Sequence, residues 1–191
     1  MYTVENIENI IVINKSKFIA NLFSIDNIED IDNYLNIIKK KYKDANHHCY
    51  AYILDNTKRF NDDNEPSGTA GMPILECLEK NNLNHVLCIV TRYFGGIKLG
   101  AGGLVRAYTT STSKAIEKTN KLEIIKGYNC DIKFNYSMIS EIDKLLGKYE
   151  IINKIYDNEV IYNVNIDDVI LDKFKNYNIT IKKEIVIKRK I

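Results

Sequence analysis

Two glycine-rich stretches hold the residue types in this chain that could do chemistry: NDDNEPSGTAGMPIL (61–75) and TRYFGGIKLGAGGLVRAY (91–108). Each runs from polar or strand residues, through glycine, into a helix. The start of a helix leaves backbone N–H groups unpaired and carries partial positive charge. Glycine lets a ligand, or another backbone, come close. Each stretch is therefore a natural seat for an anion. In the first, Ser67, Gly68 and Thr69 could cap the helix or donate to a phosphate. In the second, Gly95, Gly96 and Gly102 are bracketed by Arg92, Lys98 and Arg106, and guanidinium groups suit two-pronged phosphate contacts. Taken singly, such glycines often serve only tight turns and close packing. Their clustering with three cations and three acids favours a functional surface.

The acids are Asp62, Asp63 and Glu65. They could hold Mg²⁺ through their carboxylates, form a solvated loop, or pair with Arg92 or Arg106. No cofactor is required by any motif. His47, His48 and Cys49 look like a ligand cluster, yet neighbours on a strand point to opposite faces. His47 and Cys49 share a face, and nothing completes a tetrahedral metal site. His47 is expected as a polar contact near the glycine loops. Enzyme signatures fail when tested. Gly95–Gly100 has the span of a Walker loop, but Ala101 and Gly102 stand where Lys and Ser/Thr are needed. Val105 occupies the last place of a GxGxxG pattern. Ser67 lies in PSG, not GxSxG. Recognition is expected over catalysis. The alternatives are a nucleotide- or phosphate-handling enzyme that uses the Asp62, Asp63 and Glu65 loop with Mg²⁺, and a protein-interaction module whose glycine-rich segment is mainly structural.

The elements that must position these loops follow from patterning. Seven of the nine glycines and both prolines lie between Pro66 and Gly103. Residues 8–14 and 17–25 read as strands. Ile28, Ile31, Leu35, Ile38 and Tyr42 recur at helical spacing behind Asp26 or Asn27 as N-cap. A strand over 48–54 precedes a polar loop over 55–68. A helix is expected from Thr69 to about Leu78, with Pro73 tolerated in its first turn. The continuous apolar run 86–90 predicts a strand covered on both faces. A helix from about Gly103 to Lys118 follows the second loop.

The second half changes character. Tyr128, Cys130, Ile132, Phe134 and Tyr136 alternate with polar residues, as in a half-buried strand. Met138, Ile142, Leu145 and Tyr149 share a helical face. Residues 151–156 and 160–166 read as a hairpin turning at Asp157–Asn158. A helix over 168–177 and a strand over 179–187 complete a βαββαβ order, the ferredoxin-like split. The expected fold is α+β, with domains at 1–124 and 125–191.

Composition agrees with a globular protein: of 191 residues, 45% are hydrophobic and 27% charged. A net charge of +2 is too mild to announce nucleic-acid binding by itself. No apolar run approaches the ~20 residues of a membrane span. No signal peptide is evident, so a cytoplasmic location is expected. The four cysteines form no CxxC pair and are expected to be reduced and mostly buried.

The motif residues closely resemble the IMPACT/YigZ family. The matching pieces are Ser16–Ala20, Asp44-Ala45 with His47 and Cys49–Tyr52, Asp62-Asp63 with Glu65–Gly71 and Pro73–Leu75, and Thr91–Gly96 through Lys98–Gly100 and Gly102–Tyr108. They span about residues 16–116. The resemblance implies a first domain similar to ribosomal protein S5 domain 2 and a ferredoxin-like second domain. It also implies an association with translation, with RNA, the ribosome or a protein of translation control as partner. Eukaryotic members regulate translation in amino-acid stress responses through an added N-terminal RWD domain. The match begins almost at the start of this chain, so that mechanism is not expected to carry over. Asn64 stands where the family commonly has Gly. Asn is the next-best residue for a left-handed turn, so the loop is expected to keep its shape.

Overall fold

The computed structural model describes residues 1–190. Two compact units divide the chain, Met1–Glu123 with Lys190, and Ile124–Arg189. Both are mixed α and β.

The first unit is a sheet clothed by helices on both faces. Its strands are β2 (Ile7–Ile13), β3 (Ser16–Ser24), β4 (His47–Leu54), β5 (Thr57–Asn61) and β6 (Val86–Tyr93), all antiparallel in the order β2-β3-β6-β4-β5. A short β1 (Tyr2–Val4) pairs with residues 121–123. The helices are α1 (Ile28–Lys41), α2 (Gly71–Lys80) and α3 (Gly100–Lys118). The central strand β6 shows why a continuous apolar run was needed. Leu87 and Ile89 face α1 with Ile31 and Ile38, whereas Val86, Cys88 and Val90 face α2 and α3 with Ile74, Leu78, Leu104 and Ala107. Successive strand residues point to opposite faces, so a strand between two helical layers must be apolar at every position.

Local signals set α1. Asn27 accepts from the Asp30 N–H, and the Asp30 carboxylate returns a bond to the Asn27 N–H, a reciprocal capping box. The expected polar loop over 55–68 is not all loop, because Thr57–Asn61 adds edge strand β5. All five of its residues are exposed, so main-chain pairing with β4 holds it and no apolar alternation marks it. Strand β6 runs on to Tyr93, which places Arg92 on the strand. Helix α3 starts at Gly100, so its glycines lie in its first turn.

The second unit begins in β7 (Lys121–Phe134) and continues through a 3₁₀ turn (Tyr136–Met138), α4 (Ile139–Leu146), β8 (Glu150–Tyr156), β9 (Val160–Asp167), α5 (Asp168–Lys173) and β10 (Asn178–Lys190). Its strand order is β10-β7-β9-β8, the arrangement of a βαββαβ split. Helix α5 ends at Lys173, short of the expected 177. Its core joins Ile132, Phe134, Ile142, Tyr162, Val164 and Phe174. No helix among the described residues is long and apolar enough to cross a membrane.

Candidate functional site

The first glycine loop already holds an anion of its own. Asp62 accepts from the Gly71 N–H at 2.7 Å and the Ala70 N–H at 3.0 Å through Oδ1, and from the Gly68 N–H at 2.9 Å through Oδ2. Ala70, the N-cap of α2, has no capping side chain, so Asp62 fills the seat expected for a ligand phosphate. Thr69 is buried and its hydroxyl donates to the Pro66 carbonyl at 2.6 Å. Ser67 and Gly68 are exposed on the rim. Of the residues expected to seat a phosphate here, Gly68 gives its N–H to Asp62, and Thr69 gives both its N–H and its hydroxyl to the Pro66 carbonyl.

Asp63 is engaged as well. Its Oδ2 accepts from the His48 N–H at 2.6 Å, and its carbonyl lies 2.8 Å from His47 Nδ1. Asp63 and Asn64 take φ of 43° and 66°, the left-handed turn expected at Asn64. Among the described residues, no group of three His, Cys, Asp or Glu is placed to hold a metal ion.

Glu65 lies in the protein. Only 8% exposed, it meets Arg92 Nη1 at 2.6 Å and accepts from the Tyr108 hydroxyl at 2.9 Å. The sheet explains the convergence. Arg92 on β6 stands between Phe18 on β3 and His47 on β4 in the strand register, all on the α2/α3 face. Its guanidinium carbon sits 5.5 Å from the Phe18 ring centroid and 5.6 Å from that of Phe94. His47 Nε2 approaches Glu65 Oε1 at 3.8 Å. The Cys49 thiol lies 3.3 Å from the Tyr108 hydroxyl, and burial pushes its pKa up to about 12. It is a thiol at neutral pH and no nucleophile. Burial, then Cys49 and Glu65, raises Tyr108 far above an ordinary phenol, so it stays protonated and donates. His48, on the opposite face, meets Thr91 Oγ1 at 3.1 Å, and burial lowers its pKa.

The second loop is different. Leu99, the N-cap of α3, gives no side-chain cap, and no acidic residue stands in the first turn of this 19-residue helix. Asn46 Oδ1 accepts the Phe94 N–H at 2.7 Å, and Ser16 Oγ accepts the Gly95 N–H at 3.1 Å, which fixes the approach. Gly95 is structural, because a Cβ there would collide with the Lys15 carbonyl. Gly96 turns with φ of +82°. Gly102 is exposed, and a Cβ there would meet only Arg106 Nη1, at 3.6 Å. Nothing in the fold requires that glycine.

Glu65 and Pro66 from the first loop, with Arg92, Phe94, Lys98 and Leu104 from the second, border one open cleft of about 410 Å³. Asn46, His47, Leu99, Gly100 and Ala101 complete it. Lys98 and Arg106 are exposed and form no ion pair among the described residues. Arg92 is 5% exposed, and its Nε has no hydrogen-bond partner. Of the residues expected at a site, the cleft gathers His47, Glu65, Arg92 and Lys98. Gly102 and Arg106 stand on the adjoining turns of α3, and Asp62, Asp63 and Ser67–Thr69 lie outside. Asn46, Pro66 and Leu104 were not expected at the site; Pro66 and Leu104 lie within the motif, but nothing local marks them as lining.

The Impact N-terminal domain model matches residues 14–116, which include every residue lining the cleft. The chain belongs to the IMPACT family. IMPACT family member YvyE of Bacillus subtilis is 38% identical over 163 residues, covering 84% of this chain and 73% of that protein. IMPACT family member YigZ of Escherichia coli is 33% identical over 159 residues, covering 80% and 78%. The likeness extends to a solved structure, described as the crystal structure of a hypothetical protein. It is 28% identical with a TM-score of 0.63, and the two share 94% of this chain and 95% of that one. The IMPACT match therefore covers the whole first glycine loop and the whole second.

Proposed function

We propose that this IMPACT family protein is a translation-associated regulatory protein that binds RNA through the cleft at the start of α3. Family resemblance supplies the setting in translation. The cleft supplies the contact, and one observation carries it: α3 opens with no side-chain cap and no first-turn acid onto a cleft lined by Arg92 and by the exposed Lys98. Helix N–H groups and nearby cations complement a phosphate. The contrast with α2 supports this, since there Asp62 already fills the equivalent position. Glu65 has Arg92 and Tyr108 as partners, which favours a positioning role for it over metal chemistry.

Equilibrium binding to structured and single-stranded RNA over a salt series tests the proposal. Affinity is expected to fall with salt. Lys98→Ala with Arg106→Ala should weaken binding and flatten the salt slope by about 0.7 for each phosphate no longer neutralised. Binding that is insensitive to salt and unchanged in both variants would overturn it.

A further inference from the structure

We infer that the cleft accepts a single unstacked nucleotide, so that the RNA bound is single-stranded at the point of contact. The inference rests on the RNA-binding role proposed above and narrows its ligand. The cleft is lined by both polar and apolar residues. Its polar lining includes Lys98, Arg92 and the first turn of α3. Of the two cations lining the cleft, Arg92 is matched by Glu65 at 2.6 Å, which leaves Lys98 uncompensated. One such charge with one helix N-terminus fits a phosphodiester better than a triphosphate.

Its apolar lining includes Pro66, Phe94, Leu99 and Leu104. Phe94 is 46% exposed, and Arg92 sits over one face of its ring. An aromatic held this way, beside a cation, is a stacking surface for a base. The volume of about 410 Å³ lies near the small end of small-molecule sites, roughly 300–1,000 Å³. A base paired in a duplex cannot enter a concave site without leaving its stack. Gly102 gives a second reason to expect close approach. An exposed glycine inside a helix is unfavourable relative to alanine, and no neighbour here forbids a side chain. Its missing Cβ leaves the first turn of α3 open to a backbone phosphate.

Fluorescence anisotropy with a labelled single-stranded RNA octamer, the same strand in a blunt duplex, and a competing mononucleotide tests this. The single strand is expected to bind at least tenfold more tightly than the duplex. Phe94→Leu, which keeps apolar bulk and loses the ring, should weaken the single strand about tenfold, and Phe94→Trp should preserve it. Equal affinity for duplex and single strand, or Phe94→Leu without effect, would overturn the inference. If Lys98→Ala still weakened binding in that case, the phosphate contact would stand without the base pocket. A mononucleotide binding as tightly as the octamer would overturn the assignment to RNA. No binding to any of the three would remove both the inference and the role beneath it.

Discussion

Glu65 and Arg92 form a buried ion pair, with Oε1 and Nη1 2.6 Å apart and the two side chains 3% and 6% exposed. Tyr108 donates to the same carboxylate oxygen at 2.9 Å. Removing one member of such a pair leaves the other charged and unpaired out of water, which costs about 3–5 kcal/mol. Glu65→Ala and Arg92→Ala are each expected to lose that much in urea unfolding. The double variant Glu65→Leu/Arg92→Met should lose much less than the sum, since no orphan charge remains. Strictly additive losses would show that the pair does not act as a unit.

Asp62 is expected to matter for stability. It caps α2 through the Ala70 and Gly71 N–H groups and ties down the preceding loop through that of Gly68. Asp62→Ala should cost about 1–2 kcal/mol, as loss of a strong helix cap does, with little change in RNA affinity. Urea midpoints and binding measured on one preparation separate the effects. A large loss of affinity with unchanged stability would return this residue to the ligand site.

Glycines of the second loop should divide in the same way. Gly95→Ala is expected to destabilise severely, because its Cβ would overlap the Lys15 backbone. Gly102→Ala should stabilise by about 0.5–1 kcal/mol, through the usual preference of a helix for alanine, and weaken RNA binding. Thermal unfolding and anisotropy check both. A Gly102→Ala variant that binds as well as the wild type would leave that glycine unexplained.

In the second unit, Asp167 is expected to contribute to acid sensitivity. Burial pulls its carboxyl upward, but the Ile170 N–H, the Tyr149 hydroxyl and Arg189 outweigh it and leave the pKa lowered. The contacts are 3.0, 2.9 and 2.6 Å. A lowered folded-state pKa gives stability that is present above the unfolded value, about 3.9, and lost as pH falls through the folded one. Asp167→Asn should thus be less stable than wild type at pH 7, with the gap closing at pH 3. Urea midpoints at the two pH values test this, and a gap of equal size at both would contradict it.

How far the sequence disclosed these features depended on the range of the interactions. Asn27 caps α1 from the residue before its first turn, so that signal was local and readable as one of two candidates. Strand β6 declared itself through an unbroken apolar run, and the βαββαβ order through alternation. Strand β5 was hidden because its five exposed residues carry no burial pattern. The acids were ambiguous for a different reason. Asp62 acts six to nine residues ahead of itself, and the partners of Glu65 lie 27 and 43 residues away. Nothing within NDDNEPSG distinguishes a cap, a buried ion-pair member and a solvated acid. The cleft itself needed β4, β6 and α3 to be placed together, although Arg92 and Lys98 were readable as its cations.

The central claim is that α3, and not α2, offers its N-terminus to the ligand. Two-dimensional amide NMR of the full chain titrated with single-stranded RNA tests it most directly. The amides of Lys98 and of Gly100 to Leu104 should shift in a saturable way, while those of Gly68, Ala70 and Gly71, already bonded to Asp62, stay in place. Saturable shifts at Gly68–Gly71 with none at Gly100–Leu104 would contradict the claim.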